Sequence, residues 1–350
     1  MDRLMVGLGK MRNSRFYMKR SSLFLIPLCG VLLVGCQTSN KDKNDNVVSQ
    51  RYIHKYGYDV SKEEWESTGY PGQVVTTLRN GVTLTSSYEN GVLHGPTTYT
   101  FPHSNTIESL NIFERGNLVK KTSYDIRGIP QKEQIFLSPS HVKITRWYQK
   151  GTPLSVEEYH NTELLEGEYY NERNEPEYRV TKGSGTRITR DQHEQVVAKE
   201  QIANGYPILR ETFHPHGIPH TVIPLSGGKI HGVKKVFAPS GEPISSETYK
   251  QDVLHGPATY YQNGCRYLEV SYSDGLKDGV ERHFVDGQTV VEETEWVDGH
   301  KHGTSVVFFD GMSRTRYYYN NQPVTKERYR ELCEQEENIA IMNDRALGRD

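Results

Sequence analysis

The sequence is poor in the features by which many enzymes and nucleic-acid binders announce themselves. It has no phosphate-cradling glycine loop, no Gly-x-Ser-x-Gly elbow and no His-Glu-x-x-His string, so no motif points to phosphoryl transfer, a serine hydrolase or a zinc peptidase. No cofactor motif is present either. Positive charge is not in excess: 42 Lys+Arg stand against 44 Asp+Glu, a formal net charge of −2. That balance argues against nucleic acid or a bare anionic lipid surface as the main partner. Cysteine is scarce, with four residues at Cys29, Cys36, Cys265 and Cys333. Neither Cys265 nor Cys333 has a histidine beside it, which makes a thiol nucleophile a poor reading. Helical periodicity is missing from most of the chain, and a period-2 pattern, though imperfect, is present.

What the chain does have is glycine, 31 residues of it, set at regular intervals. Tyr249-Lys-Gln-Asp-Val-Leu-His-Gly256, Tyr272-Ser-Asp-Gly-Leu-Lys-Asp-Gly279 and Trp296-Val-Asp-Gly-His-Lys-His-Gly303 each open on an aromatic residue and close on a glycine seven positions later. Tyr88-Glu-Asn-Gly-Val-Leu-His-Gly95 repeats the cadence far upstream. A second glycine follows at Gly264, Gly287 and Gly311. Carried through the less regular stretches, the register sets anchors at Gly72, Gly95, Lys120, Lys143, Gly167, near Arg187, Leu209, Gly232, Gly256, Gly279 and Gly303. These are about eleven units at a spacing of about 23 to 24 residues, the signature of stacked supersecondary units. The Arg187 anchor is the least regular, and a slip of one or two residues is expected there because Gly183 and Gly185 both compete as turn residues.

Between the glycines lie strand-forming runs such as Ala258-Thr-Tyr-Tyr261 and Thr304-Ser-Val-Val-Phe-Phe309. Asn-Gly and Asp-Gly pairs recur between them, at Asn80, Asn90, Asn204 and Asn263 and at Asp274, Asp278, Asp286, Asp298 and Asp310, and these dipeptides accept the positive φ that tight hairpins need. The spacing therefore predicts an all-β fold: an elongated, twisted antiparallel meander of hairpins with two turns per unit, the turns marked by Gly95, Gly232, Gly256, Gly264, Gly279, Gly287, Gly303 and Gly311.

The Tyr-x-x-Gly-x-x-His-Gly strings ending at Gly95 and, with substitutions, at Gly232, Gly256, Gly279 and Gly303, followed by Tyr260-Tyr261-Gln-Asn-Gly264, resemble MORN-type repeats, in particular the bacterial variety found in proteins named for the YwqK-type antitoxin family. The resemblance covers residues 71–321 and implies the fold far more than any function. Residues from Ser138 to Ile223 depart most from the pattern and are expected to form an irregular middle or a break between two blocks.

Ahead of the repeats, Leu23 to Gly35 is an apolar run of thirteen residues behind Lys19-Arg20, interrupted by Pro27 and Gly30. It is too short to span a bilayer comfortably and reads as the core of a signal peptide over residues 1–35, with a long stretch before it in which Met11 or Met18 would be a more ordinary start. Leu33-Val-Gly-Cys36 resembles a bacterial lipobox, which implies cleavage before Cys36, a diacylglyceryl thioether on its sulfur and acylation of the new amino terminus, so that the membrane is a partner through lipid. Gln37, in a Gram-negative host, resembles the outer-membrane sorting state. Cleavage leaves 36 Lys+Arg against 43 Asp+Glu, a net charge of −7. Residues 36–50 are polar and read as a disordered tether, 51–70, with Tyr56, Tyr58, Trp65 and Tyr70, as an N-terminal cap, and 322–350, rich in helix formers after Pro323, as a short helix covering the last sheet edge.

Three constellations carry chemistry-bearing side chains. His94, His231, His255 and His302 share one position before the anchor glycine, but successive copies would lie about 10 Å apart, too far to share a metal, and the expected role is packing of each ring on the next hairpin. His300 and His302 form a local pair worth a metal test. Carboxylates recur before aromatic strand positions, in Glu157-Glu158-Tyr159, Glu247-Thr-Tyr249 and Glu295-Trp296, and their repetition reads as a solvated strand edge. Cys265 and Cys333 either pair, if the tail folds back, or stay as two thiols.

Repetition favours a non-enzymatic envelope scaffold that binds an unidentified envelope or surface protein. The alternatives are an exported enzyme acting on the cell wall, with its site between Ser138 and Ile223, and an antitoxin-like binding protein.

Overall fold

The computed structural model describes residues 46–191 and 193–346. The apolar run, Cys29, the lipobox-like Cys36 and residues 37–45 lie outside them. The described residues build one open antiparallel sheet of 27 strands, from Val47–His54 to Gln322–Val324, in which each strand pairs with its sequence neighbours. Three short strands are exceptions, each pairing only with the strand before it: Val47–His54 sits between Asp59–Val60 and Gly72–Leu78, Pro219–Ser226 pairs with both Lys229–Ile230 and Gly232–Phe237, and Cys265–Ser273 pairs with both Leu276–Lys277 and Gly279–Val285. Two helices complete the fold, α1 (Lys62–Thr68) and α2 (Lys326–Ala346). Neither is long and apolar enough to cross a membrane.

The hairpin chemistry read from the sequence is what closes the strands. Asn90 (φ 51°), Asn204 (51°), Asn263 (52°), Asp274 (49°), Asp286 (56°), Asp298 (47°) and Asp310 (48°) are all left-handed, each followed by a left-handed glycine, the geometry whose twist matches that of the flanking strands. At Asn80-Gly81 and Asp278-Gly279 only the glycine has positive φ, so these two dipeptides do not form that turn.

The anchor glycines play a different part from the one expected of them. Gly264, Gly287 and Gly311 sit in turns, but Gly95, Gly256 and Gly303 lie inside strands Val92–Thr100, Val253–Gln262 and His300–Phe309, and Gly232 and Gly279 begin strands just after a one-residue interruption. The pairing explains why. Glu247 faces Ala258 and Tyr249 faces Leu254, so His255, Gly256 and Pro257 stand opposite the single residue Thr248. The same shift brings His94 to Pro96 opposite Ser87 and His302 to Thr304 opposite Glu295. These are bulges, and glycine serves there because φ is +110° at Gly256 and a Cβ would stand 3.3 Å from the Thr248 side chain.

Successive first turns stack into a seam. The Gly116 N–H donates to the Leu93 carbonyl (2.8 Å), Gly183 to Leu165 (2.8 Å), Gly205 to Gly183 (2.9 Å), Asp252 to Ile230 (2.9 Å), Gly275 to Leu254 (2.9 Å), Gly299 to Lys277 (2.8 Å) and Asn321 to Lys301 (2.9 Å). At these junctions one unit is tied to the next by more than its ladder.

Three expectations about boundaries need correction. The strand from Val47 takes in the end of the expected tether, because its residues pair with Gly72–Leu78 and Gln50 bonds to Thr76. Ser138 to Ile223 is not an irregular break: its strands continue the sheet, and it holds the buried cluster Leu164, Tyr169, Val180, Ile188 and Ile202. Its shortest pairing is one hairpin, where Val180 pairs with Gly185 and Thr181 with Ser184, placing the anchor at Gly185, two residues before Arg187. Finally, α2 covers side chains of the last hairpin more than its edge. Tyr329 packs on Tyr317 (5.8 Å between ring centres) and Tyr319 bonds to Glu336 (2.5 Å), while Met312 to Arg316 remain exposed with no strand on their outer side.

At the other end, α1 packs on side chains of the first strands. Ser61 accepts the Glu64 N–H (3.2 Å), Gly69 in the left-handed conformation returns its N–H to Trp65, and Trp65 is buried with Val60 and Val74 beside Tyr52, Tyr70 and Tyr88. Tyr56 and Tyr58 stay exposed, although both rings contact His54.

Candidate functional site

The most distinctive side-chain cluster lies where the sequence pattern is weakest. Glu157, on strand Pro153–His160, is 1% exposed, and Glu200, on Val196–Ala203, is 5% exposed. Arg146 donates to Glu157 Oε2 (2.5 Å), Arg187 to Glu157 Oε1 (3.0 Å) and to Glu200 Oε2 (3.2 Å), and Arg210 to Glu200 Oε1 (2.6 Å). The Tyr169 hydroxyl adds a hydrogen bond to Glu157 Oε1 (3.1 Å). The result is an alternating chain, Arg146–Glu157–Arg187–Glu200–Arg210, in which every carboxylate oxygen has a charged donor.

Local register places these groups. Glu200 is directly opposite both Arg187 and Arg210, so the three share a face of the sheet. Because the hairpin at Gly185 pairs at only two positions, no residue of Pro176–Thr181 stands opposite Arg187, and its side chain reaches over to Glu157. Gly167 makes room for the remaining partner: a Cβ there would lie 2.7 Å from the Tyr169 hydroxyl. That glycine is retained for space, since its backbone is not left-handed.

Burial by itself would raise the Glu157 carboxyl, but the charges of Arg187 and Arg146 outweigh it and hold the group below the usual carboxylate range. For Arg187 burial is again opposed, by Glu157 first, and the guanidinium is held above its ordinary value. Burial and then the Glu157 charge push Tyr159 up to about 12 and raise Tyr169 as well. Glu157 is therefore ionised and both phenols are neutral near pH 7, so none of these three groups is poised to exchange a proton there. A cavity of about 150 Å³ borders Arg146, Ser155, Glu157 and Arg187, small beside the roughly 300–1,000 Å³ typical of small-molecule sites.

A second carboxylate pair stands on neighbouring turn tips. Lys150 bridges Glu172 (2.9 Å) and Glu194 (3.5 Å), and a hydrogen bond between the two acids lowers Glu172 and raises Glu194. The Glu172 side chain is half exposed.

The expected solvated edge of carboxylates holds only in part. Side chains alternate between faces, so in Glu157-Glu158 one residue must turn inward: Glu157 is buried, whereas Glu158 meets His141 at 2.6 Å on the other face. Glu247 accepts the Tyr249 hydroxyl (2.9 Å), and Glu295 accepts the Thr304 N–H (2.5 Å) at the bulge. The signal was present in the adjacency of two acids in a strand.

Three of the four histidines of the row pack on the next hairpin, while for His231 the backbone N–H donates to the Pro224 carbonyl (3.1 Å) on the preceding strand. His94 Nδ1 accepts the Arg115 N–H (3.3 Å), His255 Nδ1 accepts the Asp274 N–H (3.4 Å), and His302 Nδ1 donates to Asn320 Oδ1 (3.1 Å). His300 is engaged separately with the Asp298 carbonyl (3.0 Å). Among the described residues no three His, Cys, Asp or Glu side chains gather as ligands of one metal. Cys265 is exposed, Cys333 half-buried, and both are free thiols.

No protein-family model and no curated protein matches the chain. Among solved structures, that described as "Crystal Structure of TcdB2-TccC3 without hypervariable C-terminal region" aligns with 78% of this chain and 18% of its own at 10% identity and a TM-score of 0.17, so this chain spans less than a fifth of that one and the likeness carries no argument.

Proposed function

We propose that the chain is a lipid-anchored, non-catalytic scaffold of the bacterial envelope, a member of the MORN-type repeat proteins, which offers its sheet to another envelope or surface protein. The observation that carries the non-catalytic part is the closure of Glu157 and Glu200 by three arginines. A glycan-cleaving site needs one carboxyl held protonated and another free to attack or to activate water; here Glu157 is held ionised, and all four oxygens of Glu157 and Glu200 are taken up by arginine donors. In binding, by contrast, repeated units supply area, and apolar side chains such as Val233, Ile244, Tyr267 and Val285 stand exposed along the sheet.

The anchor rests on sequence alone. Lys19-Arg20, the apolar run and Leu33-Val-Gly-Cys36 support export and acylation at Cys36, and Gln37 supports the outer membrane if the host has one. Multiple acyl chains would hold the protein on the membrane, since each buried methylene contributes about 0.8 kcal/mol.

Metabolic labelling with a palmitate analogue tests the anchor: the wild-type chain takes up label and fractionates with membranes, and Cys36→Ala does neither. Crosslinking in intact cells followed by mass spectrometry tests the scaffold, with one or a few envelope proteins recovered repeatedly. Turnover of a wall glycan or peptide by the purified chain would sink the non-catalytic reading.

A further inference from the structure

Between α1 and the first strands lies an open pocket of about 370 Å³, lined by Gln50, Tyr52, Trp65, Glu66 and Tyr88 and rimmed by Gly69 and Gly91. We propose that it binds a neutral saccharide ring. The inference does not depend on the scaffold reading, because the pocket is built from the N-terminal cap and would act with or without a lipid or a protein partner.

Three aromatic rings form its apolar part, and their packing fixes them. Trp65 meets Tyr52 at 5.7 Å between ring centres and Tyr88 edge-on at 6.0 Å and 89°. Trp65 is 7% exposed, and its indole N–H, which makes no hydrogen bond among the described residues, is not one of the buried atoms without a partner, so it reaches solvent, where a hydroxyl in the pocket would meet it.

The polar groups are mixed in kind. The Gln50 side chain is held at both ends, its Nε2 donating to Thr76 Oγ1 (3.2 Å) and its Oε1 accepting the Tyr52 hydroxyl (2.9 Å), which leaves one N–H and one lone pair free. Glu66 is 63% exposed, its only ion pair among the described residues is a 3.7 Å contact with Lys62, and its carboxylate can accept hydroxyl hydrogens. Gly69 and Gly91 add no side chain to the lining, and a Cβ on Gly69 would stand 3.3 Å from the Gly91 nitrogen.

Fixed aromatic rings beside an amide, a carboxylate and a free N–H suit a ring with an apolar C–H face and a girdle of hydroxyls. Glu66 disfavours an anion. A quaternary ammonium would use ring faces and the carboxylate but leave the Gln50 and Trp65 donors idle, and the edge-on contact of Trp65 with Tyr88 already occupies one ring face. The volume lies within the roughly 300–1,000 Å³ range of small-molecule sites.

The test is saturation-transfer NMR on the full chain with glucose, galactose, N-acetylglucosamine and, separately, tetramethylammonium. The expected result is saturable binding of at least one sugar, with the C–H protons of one ring face most strongly saturated. Gln50→Ala, Glu66→Ala and Trp65→Phe should each weaken it roughly tenfold, the loss of about one good hydrogen bond, while circular dichroism stays that of the wild type. Gln50 and Glu66 are exposed, so their variants separate binding from folding, whereas Trp65→Phe also loses the five-membered ring from the cluster with Val60 and Val74 and is compared at matched thermal stability. Absence of transfer to every sugar at about 10 mM, binding indifferent to all three substitutions, or binding of tetramethylammonium alone would overturn the proposal.

Discussion

Arg187 donates to Glu157 at 3.0 Å although the two residues are 30 positions apart, and the shortened hairpin at Gly185 lies between them in the chain. This contact joins units that the backbone ladder links only through intermediate strands. Loss of Glu157 should therefore be felt beyond its own strand. Glu157→Gln keeps the shape but leaves Arg146 and Arg187 short of a counter-charge, and a cost of about 3–5 kcal/mol is expected for breaking such a buried pair. Urea unfolding of the two chains measures it. A cost within error of zero would mean that the cluster is ornamental.

Acid should act through the same carboxylate. Because the folded-state value of Glu157 lies below its ordinary 4.5, the stability it contributes is fully present above about 4.5 and is lost as pH falls through the folded value. Glu281, also held low despite burial, by Lys277 and His283, acts in the same direction. Unfolding free energies measured between pH 7 and 2 should fall for the wild-type chain and fall less for Glu157→Gln, the two curves converging at the acid end.

Gly167→Ala should destabilise by about 1–3 kcal/mol, the usual range for overpacking, by driving the Tyr169 ring away from Glu157. Thermal unfolding reads the loss, and the ultraviolet titration of the phenols offers a second readout: Tyr169, released from burial and from the Glu157 charge that both raise it, should ionise at lower pH than in the wild type.

His255→Ala removes the acceptor for the Asp274 amide and should cost about 0.5–1.5 kcal/mol. Hydrogen exchange at Asp274 is the sharper measurement, since only that turn should open faster. His300→Ala, whose ring meets a carbonyl within its own turn, leaves the inter-unit seam unchanged and serves as control.

Much of the architecture could be read from the chain. The Asn-Gly and Asp-Gly pairs located the hairpins because positive φ at two successive residues is a local demand that few dipeptides meet. Where local demand weakened, the reading weakened with it. Gly95 and Gly256 looked like turn residues because a bulge and a turn ask the same thing of glycine, a positive φ, and only the strand pairing distinguishes them. The buried cluster was hidden for a related reason. Glu157 and Arg187 are charged, and a charged residue in a repeat is usually solvated; what buries them is a contact across 30 positions that no window along the sequence contains. Even there, the acid pair Glu157-Glu158 in a strand carried a legible hint, since alternation sends one of them inward.

The seam of stacked first turns makes the chain modular in a strict sense. Where the bond is made, a turn tip donates to a carbonyl at or just beyond the tip before it, and nothing in that bond refers to how many tips precede it. Duplicating one whole link would re-form the same fastening on both sides of the insertion, whereas adding a single strand would reverse chain direction from there onward and break the seam for every later link. Growth and loss by complete links is thus the path of least disruption open to this molecule.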